Sequence, residues 1–97
     1  MTQHDFADLY AQYDAIIGQM PTVFTTHQFI LRLAQQNQKL YIDVLDAYRH
    51  SRSPFMVVHG ILAQHLSAME RLAQAGHVHS TDIFGNSNDC AQWRKRP

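Results

Sequence analysis

The chain lacks most of what a catalytic or covalently braced frame requires. It has one cysteine, Cys90, and a single thiol cannot form an internal disulfide, which excludes a disulfide scaffold of secreted type. No apolar run exceeds four residues, so no segment is expected to span a membrane. The opening residues, Met1 to Asp5, carry no basic stretch ahead of an apolar one, so no secretory signal is expected and cytoplasm is the expected location. Charged residues are only 16%, below the usual quarter, so much of the surface must be Gln, Asn, Ser, Thr and His. No GxSxG, P-loop, GxGxxG or HExxH pattern occurs. The expectation is therefore a binding module and not an enzyme, with no catalytic residue, cofactor or small-molecule substrate.

What is present suits one helical domain. The 97 residues leave no room for a second core, and a hydrophobic share of 45% supports one. The net charge is zero but unevenly spread. Residues 1–46 carry Arg32 and Lys39 against Asp5, Asp8, Asp14, Asp43 and Asp46. Residues 47–97 carry Arg49, Arg52, Arg71, Arg94, Lys95 and Arg96 against Glu70, Asp82 and Asp89. Overall neutrality argues against strong general affinity for nucleic acid, while the basic second half argues for a local surface.

Periodicity predicts four helices, over about residues 4–20, 25–36, 38–49 and 53–75, followed by a turn-rich tail over 76–97. The fold class expected is mainly α, a four-helix domain ending in a short hairpin or irregular tail, with a winged-helix-like plan as its finer form. The first helix follows from Phe6, Tyr10, Tyr13, Ile17 and Met20, spaced as a helical stripe and stopped by Pro21. The same stripe fits a heptad, so a dimerisation helix is the sharper alternative. Thr25 and Gln28 form a capping box at the second helix, with Phe24 and Phe29 as its staple. Asn37 falls where an apolar residue is due, and a break with Asn in a left-handed cap is expected there. Ser53-Pro54 opens the fourth helix as N-cap and N1, and Gly76 closes it. That helix buries Phe55, Val58, Ile61, Leu62, Leu66, Met69, Leu72 and Ala73. Its opposite face carries Met56, Gly60, Ala63, Gln64, Ser67, Arg71 and Gln74. In the tail, residues 77–80 and 91–94 are candidate short strands around residues 83–86, with Phe84 and Trp93 as anchors.

Two functional readings follow. The leading one is duplex DNA binding by a small regulatory domain. Arg49, Arg52 and Ser53 would hold phosphate at a helix N-terminus, and Gln64, Ser67 and Arg71 would face base edges. Arg94, Lys95 and Arg96 would extend the backbone contact. The plan would be a winged helix-turn-helix, although the classical turn pattern fails at Arg32 and Leu33. The alternative is a protein-interaction or homodimerisation module, using Met56, Gly60 and Ala63 for close approach. The position of the arginines separates the two. Convergence on one surface favours nucleic acid, and an exposed apolar patch including Met56 favours protein. His77, His79, Cys90, Asp82 and Asp89 are metal-ligand types, but their spacing is not that of a structural zinc site, and no metal is expected.

Overall fold

In a computed structural model, which describes residues 6–97, five short helices and a three-stranded antiparallel sheet surround one hydrophobic core. The helices are α1 (Ala7–Tyr10), α2 (Tyr13–Gln19), α3 (Thr26–Gln36), α4 (Gln38–Ala47) and α5 (Pro54–Ser67). The strands are β1 (Val23–Thr25), β2 (Leu72–Thr81) and β3 (Ser87–Lys95), in the order β1-β3-β2. The fold is mixed α/β, which corrects the expectation of a mainly helical domain with a tail.

The first predicted helix is two, α1 and α2, and its predicted start at residue 4 lies outside the described residues. Its apolar stripe is spent inward. Phe6, Leu9, Tyr13, Ile16, Ile17 and Met20 are buried in the chain's own core, and Tyr10 packs against it. The Tyr13 hydroxyl donates to the Leu62 carbonyl oxygen at 2.7 Å, joining α2 to α5.

Helix α3 starts as expected. Gln28 N–H donates to Thr25 Oγ1 at 3.1 Å, and Thr25 N–H donates to Gln28 Oε1 at 2.8 Å, a complete capping box. The chain does break at Asn37, but not in a left-handed cap. Asn37 has φ −134° and ψ 53°, and its side-chain amide donates to the Leu33 carbonyl at 3.1 Å. Helix α4 then buries Tyr41 and Val44.

The largest correction concerns residues 68–97. Helix α5 ends at Ser67, whose hydroxyl donates back to the Gln64 carbonyl at 2.6 Å. Residues 68–75 are good helix formers, yet from Leu72 they enter a strand. Sheet pairing overrides local propensity there. Leu72, Ala73 and Gln74 pair with Lys95, Arg94 and Trp93, and Leu72 and Trp93 go into the core. Gly76 is not a helix stop. It sits at φ +92°, in a bulge between Gln74 and His77 that places one extra residue on β2.

The bulge divides the hairpin into two parts. The proximal part pairs with β1 through residues 92–94 of β3 and belongs to the sheet. The distal part, residues 77–81 against 87–91, pairs only with itself. A bulged strand bends, and here the distal arm folds back over α5, where Phe84 meets Phe55.

Candidate functional site

The arm and α5 enclose an open cleft of about 1040 Å³. One wall is α5, contributing Phe55, Met56, His59, Gly60, Ala63 and Gln64. The other is the hairpin, through Asp82, Phe84, Asn88 and Cys90, and the first turn of α3 supplies Thr26 and His27.

The α5 wall is apolar because the helix is apolar nearly all round. Val58, Leu62 and Leu66, four residues apart, take the core face. Pro54 is followed by four large apolar residues, which a single helical face cannot all bury. Met56 is left 76% exposed, Phe55 44% and Val57 36%. Phe55 was expected in the core and is instead on this surface. Phe84, 49% exposed, lies across from it with ring centroids 4.3 Å apart. Leu31 and Ile42, also exposed, do not line the cleft, and isolated apolar side chains on a surface are ordinary.

The tip of the arm is internally fixed. The Asp82 carboxylate accepts N–H bonds from Phe84 at 2.9 Å and Asn86 at 3.0 Å. Those two backbone bonds hold its carboxyl below the usual carboxylate range. Gly85, at φ +86°, makes the turn that presents Phe84.

Behind Phe84 lies His59. The two rings are stacked at 5.9 Å with planes 4° apart. His59 Nε2 and the Tyr41 hydroxyl are 2.6 Å apart. Burial pushes the His59 pKa down, against the pull of Asp82, and His27 adds to the lowering. Burial raises the Tyr41 hydroxyl to about 12, so it stays protonated. A neutral His59 accepting from Tyr41 fits both shifts. His27 Nδ1 is buried and has no hydrogen-bond partner. Deeper still, Trp93 Nε1 donates to Thr26 Oγ1 at 2.9 Å.

The structure brings some of the expected DNA-contacting residues together and disperses the rest. Arg52, Ser53, Gln64 and Ser67 line the cleft. Arg49 pairs with Asp46 at 3.4 Å on α4's end, and Arg71 pairs with Asp14 at 3.0 Å. Arg71 lies beyond the end of α5, so it does not share a helix face with Gln64 and Ser67. Arg94 neighbours Trp93 on β3, and alternation puts it on the opposite sheet face from that buried indole. Lys95 Nζ donates to the Met20 carbonyl, and Arg96 Nε to the Leu72 carbonyl at 3.2 Å. None of these five cations lines the cleft. Ser53 occupies the N-cap position of α5, but its side chain makes no cap bond.

Periodicity alone missed the roles of Phe55, His27, His59 and Phe84. One signal was available, the run of large apolar residues after Pro54. No group of three or more His, Cys, Asp or Glu side chains that could hold a metal ion forms among the described residues. No helix among them is long and apolar enough to cross a membrane. In comparisons with known proteins, no family model, curated protein or solved structure matches the chain.

Proposed function

We propose that this chain is a protein-interaction module that receives an apolar segment of a partner in the cleft between α5 and the hairpin arm. One observation carries the reading. Phe55 and the exposed Met56 line the cleft together with Phe84, and α5 brings no Lys, Arg, Asp or Glu side chain to it. Across from α5 stand Asp82 and Asp89, against Arg52 as the one Lys or Arg in the lining. Such a surface repels a phosphate backbone more than it attracts one. It suits a buried apolar anchor with a polar rim.

A peptide-display selection against the chain tests this. Peptides with large apolar side chains should be enriched, and their amide shifts should map to α5 and the arm. Met56→Asp should weaken their binding by about 2 kcal/mol or more, roughly thirtyfold, as expected for a central anchor. Peptides that bind Met56→Asp and Phe55→Asp as tightly as the parent chain would place the interaction elsewhere.

A second reading, duplex DNA, is favoured by one observation. Helix α5 leads into a long hairpin, the order of elements in which winged helix-turn-helix proteins set a helix in the major groove, with Arg52 and Ser53 at its start. Fluorescence anisotropy against a mixed duplex at two salt concentrations separates the readings. Salt-sensitive binding lost on Arg52→Ala, with no peptide enriched, would transfer the cleft to nucleic acid.

A further inference from the structure

We infer that the cleft is specific for an aromatic side chain of its partner, and that the chain's own Phe84 holds that place until the partner ring displaces it. This rests on the protein-binding reading and names the chemistry it selects.

The seat is defined by three rings. Phe55 and His59 lie one helical turn apart on α5, 6.2 Å centre to centre. Tyr41 stands behind His59, with ring planes 27° apart at 5.8 Å and a 2.6 Å hydrogen bond that fixes the imidazole's orientation. A flat ring entering this corner meets one tilted aromatic face and one parallel one. Phe84 does so, at 55° to Phe55 and 4° to His59. Aromatic pairs add contact energy beyond the area they bury. An aliphatic side chain would fill the space without matching those planes.

Phe84 is held there lightly. It stays half exposed, so its ring covers the seat without being enclosed by it. Its turn is closed by Asp82, Gly85 and Asn86 through bonds internal to the tip, and none of these crosses to α5. The distal arm pairs with no third strand, and the Gly76 bulge lies at its base. The tip can therefore leave α5 as a unit, keeping its own hydrogen bonds. What it gives up is the ring contact, the packing of Ile83 on the core and the attraction between Asp82 and His59, and a partner's ring restores the first of these.

The test supplies the tip in trans. The probe is a seven-residue peptide, Thr-Asp-Ile-Phe-Gly-Asn-Ser, copying residues 81–87. Binding is read by the fluorescence of Trp93, the single tryptophan, which lines the cleft, and by amide shifts at Phe55 and His59. The Phe84→Ala chain should bind the peptide, and a control peptide with alanine for phenylalanine should not bind. The parent chain should bind about tenfold more weakly or worse, because its tethered ring competes at high effective concentration. Equal binding by both chains overturns the exchange, as does no binding by a Phe84→Ala chain with a native circular dichroism spectrum.

A second measurement needs no variant. Titrating the parent chain with N-acetyl-phenylalaninamide should erase the nuclear Overhauser contacts between Phe84 and Phe55. Saturation with those contacts intact overturns the inference. Display-selected peptides that depend on Met56 while the Phe84–Phe55 contact persists would refute the exchange alone. Peptides indifferent to both Met56 and Phe55 would refute the cleft as a protein site.

Discussion

The Trp93 indole N–H donates to Thr26 Oγ1 at 2.9 Å, and the Thr26 hydroxyl donates onward to the Ala91 carbonyl at 3.2 Å. One buried hydroxyl thus serves strand β3 twice and ties it to the first turn of α3, directly beneath the cleft. Thr26→Val keeps the shape and removes both bonds, leaving a buried indole N–H and a carbonyl unsatisfied. Each such group costs about 1–3 kcal/mol. Urea unfolding followed by Trp93 emission should show Thr26→Val less stable by that order. A midpoint equal to the parent's would mean that water satisfies both groups.

Gly76 offers a test in which backbone and packing separate cleanly. Its φ is +92°, and a Cβ built there meets nothing within 4 Å. Gly76→Ala should therefore destabilise through backbone strain alone, by about 1–3 kcal/mol. D-alanine, placed there by chemical ligation, accepts positive φ and should restore the parent's stability. If L- and D-alanine cost the same, the bend at the base of the arm is not held at this residue.

The capping box is a local device whose value is independent of the cleft. Thr25→Ala removes the hydroxyl that receives Gln28 N–H and should cost about 1 kcal/mol in urea unfolding. Gln28→Ala removes the reciprocal bond to Thr25 N–H. The two changes share one motif, so the double variant should lose less than the sum of the singles.

Up to residue 67 local rules place helices α3, α4 and α5, but not the split between α1 and α2 or strand β1. The Thr25–Gln28 box, the break at Asn37 and the helix opened by Pro54 all depend on neighbours within a turn, and all are present. The hairpin was only partly legible. Residues 77–80 and 91–94 read as candidate strands, but residues 72–75 favour helix by composition. They become strand because Trp93, Arg94 and Lys95 of β3 offer partners far along the chain. Gly76 illustrates the ambiguity, since a glycine after helix formers signals a helix stop and a β-bulge equally well. The cleft was hidden for the same reason. Phe55 and Phe84 stand 29 residues apart in sequence, and only the bend at Gly76 brings their rings to 4.3 Å. The cations misled because clustering in sequence is not clustering in space: Arg71 meets Asp14 and Lys95 meets the Met20 carbonyl.

Acid should loosen the fold through two histidines. His59 is lowered by burial, with Asp82 opposing and His27 reinforcing, and Tyr41 faces it as a neutral hydroxyl. His65 is lowered by burial, its ring stacked on Tyr10 at 3.6 Å and edge-on to Tyr13 at 4.9 Å. The unfolded chain takes up protons near the ordinary histidine value of 6.5 while the folded chain still resists. Stability from both groups is therefore complete above about pH 6.5 and falls as pH drops toward the folded values. Carboxylates titrate lower and stay ionised over most of this window. Urea midpoints at pH 7.5 and 5.5 should show the chain weaker at the lower pH, and His65→Phe should narrow the difference while keeping a ring against Tyr10. In the protonated state His59 Nε2 becomes a donor, so its bond with Tyr41 reverses and the Tyr41 hydroxyl oxygen accepts. A pH-independent midpoint would show that both rings bind protons equally in the folded and unfolded chain.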